Sequence, residues 1–412
     1  MLVGPTSVCY EPRQSAVRRF YCVFLFCARG LCLQQQRFGR VDSIRGLAAL
    51  TVAIFHCMHV YSVNGISAIH AIAFYELHDP EVAIARIFLA LFNGNAAVSL
   101  FFVISGFVLG RSVRRNRQPW LVVGTSFLLK RLMRLYPTMA VALIAFYVVT
   151  FAGSIVAPSF IGVPSGKGLR NNLALISPDL VWATWSLFIE IGVAPLFVAM
   201  ALLVRRFGLS AQLSLLTVAV IWLFSSSRDL SGPWLAFPLY LYFFLFAIGA
   251  ALTFAEPLMS RVPTNYVPIV LLGGFITLGF SKGMFEASSP WPLLLEGIGS
   301  AAIVATVAFH TSTPILRCLD APMARWLGRI SYSFYLYHPL VFLTVLPFAL
   351  GLGVANLPMA PVISGAILTL ITVPPTAVLA YVSYWSIEVP TMKACASIDA
   401  LLSARPVRSA AD

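Results

Sequence analysis

The chain has 412 residues, of which 59% are apolar, 13% aromatic and only 10% charged. An ordinary soluble domain carries about 25% charged residues, so this chain has too few to cover a water-soluble globule, and it is far too apolar to be a disordered polymer. The 28 Lys and Arg against 15 Asp and Glu leave a net charge of +13, which in so apolar a chain points to basic cytoplasmic loops rather than to nucleic acid.

In chain order, residues 1–39 form an N-terminal extension. Its apolar run Phe20–Ala28 is too short to span a bilayer and is broken by Arg29. The run lacks the length and the small-residue cleavage site of a secretory signal, so the extension is expected to be an interfacial helix or the product of an early start codon. Ten stretches then have the length and apolarity of a transmembrane helix. The first five lie at roughly 43–62, 92–110, 137–157, 185–203 and 211–227. The other five lie at roughly 234–254, 266–283, 291–310, 331–350 and 359–384. With the N-terminus in the cytoplasm, 23 of the cations fall inside and 5 outside, namely Arg86, Lys167, Arg170, Arg228 and Lys282. A wrong span count would scramble that ratio. The expected fold is an all-α polytopic transmembrane bundle with both termini cytoplasmic, a single membrane domain over 40–392 and a short tail over 393–412. Seven cysteines, four of them within the first 32 residues, form no CxxC pair or Cys/His cluster, so no metal site is expected.

Charged side chains inside a membrane cost several kcal/mol and mark functional positions. In the first span Arg45 and His56 are 11 residues apart, about 20° beyond three turns, and therefore share a face with about 16 Å between them. Asp42 and His59 fall near the same stripe. In the second span Ser105-Gly106 lie toward the cytoplasm, and the glycine permits close approach of a helix or a ligand. The basic stretch that follows ends Arg131-Leu-Met-Arg134-Leu-Tyr-Pro137. A spacing of three puts both guanidinium forks on one helical face, in the geometry that grips phosphate.

The fourth span begins Trp185-Ser186-Leu-Phe-Ile-Glu190. Ser186 and Glu190 share a face, and a helix entering from outside puts Glu190 at the depth of His56, where a carboxylate would orient the imidazole and raise its basicity. In the ninth span Ser331, Tyr335 and His338 form one polar stripe. Pro339, next in sequence, frees a backbone carbonyl for a polar neighbour. Glu388 places a further acid at the inner face, and Glu296 and His310 are buried polar residues of the eighth span.

Six of these elements occur in order along residues 40–390: Arg45 with ten residues before His56, Ser105-Gly106-Phe107, Arg131-x-x-Arg134-x-x-Pro137, Trp185-Ser186-x-x-x-Glu190, Ser331-Tyr332-Ser333-x-Tyr335-Leu-x-His338, and Glu388-x-Pro390. Together they resemble the acyltransferase family 3 membrane proteins, which O-acylate sugars and other acceptors. The resemblance implies an acyl-CoA donor, usually acetyl-CoA, bound from the cytoplasm. It implies an acceptor hydroxyl on a polysaccharide or lipid-linked sugar, and a multi-pass location in the bacterial inner membrane. It also implies His56 as the catalytic histidine, Arg45 as essential, and Arg131 and Arg134 as holding the coenzyme phosphates with Ser105 and Gly106 nearby. The chain departs from the family pattern after Glu190, where Ile191-Gly192-Val193 stands, and before Ile387, where Trp385-Ser386 stands.

The expected mechanism uses one pore with two ends. Arg45, Arg131 and Arg134 neutralise the coenzyme at the inner end. His56 acts as base or acyl carrier toward the outer end, with Glu190 orienting it and Ser186, Ser331, Tyr335, His338 and Glu388 lining the pore. The competing class is a transporter of an anionic or lipid-linked sugar, which would commonly show inverted repeats and broken helices. No internal repeat is visible in the chain.

Overall fold

The computed structural model describes residues 39–58, 73–115, 120–158, 161–225, 239–259, 261–285, 289–354 and 362–395. The expectations for residues 1–38, for His59 and for the tail beyond residue 395 lie outside the described residues. Among the described residues every regular element is helical. Eight helices are long and apolar enough to cross a membrane, and two shorter apolar ones, Leu209–Ser225 and Leu241–Phe254, lie where the fifth and sixth spans are expected.

We number the helices α1 (Gly39–Met58), α2 (Pro80–Leu91), α3 (Gly94–Arg115), α4 (Trp120–Val156), α5 (Gly166–Leu173) and α6 (Trp185–Phe207). They continue as α7 (Leu209–Ser225), α8 (Leu239–Ala251), α9 (Val267–Met284), α10 (Trp291–Phe309), α11 (Pro322–Gly351) and α12 (Val362–Ser383). A π-helical turn, Tyr384–Glu388, joins α12 to a last stretch of helix that runs on to Cys395, three residues past the expected end of the membrane domain.

Two boundaries differ from the sequence reading. The third span was expected to open at Pro137, but α4 starts at Trp120 and carries Pro137 in its interior. Lys130, Arg131 and Arg134 therefore lie well inside this helix, ahead of where the span was expected to open. The ninth span opens at Pro322, nine residues early, because a proline at the first turn of a helix gives up only an N–H that has no partner there.

Pairings between helices fix their directions. Gly46 of α1 lies so close to α11 that a Cβ on it would stand 2.5 Å from the Gly328 nitrogen, and a Cβ on Gly328 would meet the Asp42 carbonyl. Ten residues further along each helix His56 meets His338. The constant offset of 282 residues means that α1 and α11 run parallel and in register. On the same principle α3 and α8 run parallel: Gly106 abuts the backbone of Phe246, and Gly110 that of Ala250. At the start of α1, the buried Arg40 forks onto Asp320 (2.5–3.1 Å) and donates to the Thr311 carbonyl (2.8 Å). Arg325 shares the same carboxylate at 2.6 Å, and Ser43 donates to the Leu319 carbonyl at 2.7 Å. A buried guanidinium is tolerable because its donors are satisfied, and here it clamps the inner ends of α1 and α11 together.

On the far side of the bundle Glu296 of α10 accepts from Ser99 of α3 (2.6 Å) and Ser281 of α9 (3.5 Å). His310 lies 3.3 Å from the Val262 carbonyl through Nε2. Both residues tie helices together away from the cavity described next.

Candidate active site

One cavity of about 220 Å³ opens between α3, α4, α6 and α11. Its cationic end carries Arg45, Lys130, Arg131 and Arg134. Its walls are Phe101, Phe102, Ile104, Val108 and Phe127, and its inner end carries Ser186, Ser331 and Tyr335. Eight of the residues singled out in the sequence thus line a single space: Arg45, Ser105, Arg131, Arg134, Ser186, Glu190, Ser331 and Tyr335.

The charges at the cationic end are unevenly spent. Arg131 is buried and fully engaged: Nε donates to the Glu190 carbonyl at 3.0 Å, one terminal nitrogen lies 2.9 Å from the Glu190 carboxylate, and both reach Ser105 Oγ at 3.4–3.5 Å. Ser105 in turn donates to Glu190 at 3.0 Å. Arg134 is exposed at the mouth, and Arg45 leans on Asp42 at 3.7 Å. Around the mouth, Tyr332 donates to the Leu135 carbonyl (2.6 Å), joining α11 to α4. Arg114, at the same end of α3, donates to Thr253 and covers the Phe254 ring at 3.9 Å.

Glu190 does not sit beside His56, contrary to the sequence expectation. That expectation let α6 begin at the membrane surface. Instead Trp185, the first residue of α6, packs against Phe102, eight residues into α3 (ring centroids 6.2 Å apart), so α6 begins about 12 Å deeper than α3. The entering chain is irregular, and such backbone is stable at depth only when the protein satisfies it. Asn172, wholly buried on α5, does so: it accepts from the Leu180 N–H (2.8 Å) and donates to Thr184 Oγ1 (2.7 Å). Nearby, Asp179 accepts from Ser177 and Asn171, and these hydrogen bonds hold its carboxyl below the ordinary value of 3.8. The result is that Trp182, not Glu190, lies against His56, with ring centroids 4.0 Å apart.

His56 Nδ1 lies 3.0 Å from His338 Nε2, and the two rings are nearly parallel (5°). His338 Nδ1 lies 2.6 Å from the Tyr335 carbonyl. Between this pair and the cavity stands the Tyr335 side chain, whose hydroxyl donates to the Ala183 carbonyl (2.8 Å) and bonds Ser186 at 2.9 Å. Phe101 packs edge-on to the same ring, with centroids 5.8 Å apart.

Two further residues have other roles than expected. Gly106 faces α8, and its missing side chain serves helix packing rather than the cavity. Glu388 is buried against α11, accepting from the Ser333 N–H (3.1 Å) and the Ser333 hydroxyl, so it anchors α12 to α11 instead of lining the pore. The sequence does not single out Trp182; it marks Tyr332 only as part of a motif and Lys130 only as part of the basic stretch before Pro137. The spacing of three that joins Arg329, Tyr332 and Tyr335 on α11 is a signal for Tyr332. For Trp182, which precedes its helix, there was none.

Residues 38–381 match the family model described as an acyltransferase domain. No curated protein and no solved structure matches the chain. The match extends over nearly the whole helical bundle and includes five of the six motifs, the sixth, Glu388-x-Pro390, lying just beyond it. The chain belongs to the acyltransferase family 3, as a multi-pass membrane protein.

Proposed function

We propose that this protein is an acyl-CoA-dependent O-acyltransferase, with acetyl-CoA as the first donor to test, acting on a hydroxyl of a cell-envelope or exported glycan in the bacterial inner membrane. The observation that carries the reading is the single cavity that joins a cationic mouth to the residues abutting the histidine pair. Pockets that enclose a drug-sized ligand measure about 300–1,000 Å³. At about 220 Å³ the cavity suits the acyl group and part of the pantetheine arm, leaving the nucleotide at the cytoplasmic mouth. There Arg134, Arg45 and Lys130 meet the phosphates, while Arg131, already neutralised by Glu190, braces the wall.

The thioester reaches the histidines past Tyr335 and Ser186; the Ser186 hydroxyl can turn its proton from Tyr335 to the thioester carbonyl oxygen as negative charge grows there, while Tyr335 stays committed to the Ala183 carbonyl. His56 takes the proton of the acceptor hydroxyl. The oxygen attacks the thioester carbon, the C–S bond breaks, and the departing coenzyme thiolate recovers the proton from His56. Glycan acceptors enter from the side of His56 and Trp182, opposite the basic mouth.

The test incubates purified protein with labelled acetyl-CoA and extracted envelope glycans. Label is expected to pass to the glycan with wild type and not with His56→Ala. Equal labelling by both proteins would remove His56 from the chemistry, and no labelling by wild type with any acyl-CoA would remove the donor assignment.

A further inference from the structure

The proposed reaction needs a lone pair on the imidazole nitrogen that faces the acceptor, and an imidazole alone does not specify which of its nitrogens carries the proton. The path that decides it begins at a proline. In a regular helix the Tyr335 carbonyl would accept from the N–H four residues on, but that residue is Pro339, which has none. A carbonyl can only accept, so the His338 nitrogen that lies 2.6 Å from it, Nδ1, carries hydrogen. A neutral imidazole has one N–H, so His338 Nε2 is an acceptor. Facing it at 3.0 Å is His56 Nδ1, which must therefore donate. In a neutral His56 that donates through Nδ1, the lone pair lies on Nε2. The opposite arrangement would require a charged, fully buried His338 bonded to a carbonyl and an imidazole, with no carboxylate among the described residues bonded to it.

We infer that His338 is a positioning residue that sets the tautomer of His56, through the carbonyl that Pro339 leaves without its helical donor, so that His56 Nε2 is the base. The inference rests on the proposed function for its catalytic consequence but not for the tautomer itself. It replaces the part that the sequence reading gave to Glu190: a neutral ring, rather than a carboxylate, orients the base. A neutral acceptor fixes direction without holding a second charge in the interior.

The test uses the full-length protein, labelled with nitrogen-15 histidine and reconstituted in lipid bilayers. The His56 signals are identified by their loss in His56→Ala. In wild type, His56 is expected as the Nδ1–H tautomer. In His338→Leu that tautomer is expected to lose its dominance, with kcat for acyl transfer falling about 10²- to 10⁴-fold while KM for the acyl-CoA changes less than about 2-fold. His338→Gln, whose amide oxygen can accept from His56 Nδ1, is expected to restore the tautomer and at least a tenth of the wild-type rate. A wild-type His56 in the Nε2–H form overturns the inference without any variant. So does His338→Leu with wild-type kcat, or a folded His338→Gln as inactive as His338→Leu. A wild-type protein that transfers no acyl group but shows the Nδ1–H tautomer would instead leave the positioning intact and remove the proposed reaction.

Discussion

The two ends of the site are built in opposite ways. The histidine end comes from one pair of parallel helices, α1 and α11, held in register by Gly46 against Gly328 and clamped at the inner ends by Arg40 on Asp320. There His56 and His338 bond ring to ring, and the precision is that of the helix pair. The cationic end is assembled from α1, α3, α4 and α6, and part of its charge is consumed internally, by Glu190 on Arg131. A reacting atom must be placed within a fraction of an ångström, whereas a phosphate is caught by several guanidinium groups that need less exact placement. Rigid packing at one end and surplus charge at the other follow from those two tasks.

That contrast can be broken most sharply at His56. His56→Ala is expected to lower kcat about 10³- to 10⁴-fold while acyl-CoA still raises the thermal stability of the protein. Loss of coenzyme protection in this variant would mean that the two ends are not separate. Next in size is Gly328→Val, which forces α1 away from α11 ten residues before the histidines. An expected fall in kcat of about 10²-fold from misplacement, with about 1–3 kcal/mol of stability lost to overpacking, is checked by kinetics and thermal unfolding together. An unchanged kcat would show that the register does not depend on this crossing.

Glu190→Gln leaves Arg131 without its counter-charge. A loss of about 2–3 kcal/mol is expected, between the values for exposed and fully buried pairs, read as a lower unfolding temperature. Stability unchanged by Glu190→Gln would put Glu190 outside the wall. The smallest effect is expected for Arg134→Ala: KM for acyl-CoA rises about 10-fold, or about 1.4 kcal/mol, and kcat is nearly retained. A fall in kcat instead would move Arg134 from coenzyme binding to the transfer step.

Much of this was open to inspection in one dimension. Composition and apolar runs are properties of chain segments, so membrane class and helical architecture follow from them directly. Helical periodicity likewise places Ser331, Tyr335 and His338 on one stripe, because three- and four-residue spacings are fixed by the helix itself. The six motifs carry the family as well, since their order and spacing survive without coordinates. What one helix cannot tell is the depth of another. Where α6 starts depends on Asn172 holding an irregular entry segment, and that decides that Trp182 meets His56 while Glu190 meets Arg131. Likewise the partner of His56 lies 282 residues away. The sequence placed an imidazole and a proline-freed carbonyl in the same molecule. Only the close crossing of α1 and α11 at two glycines brings them into one hydrogen-bonded line.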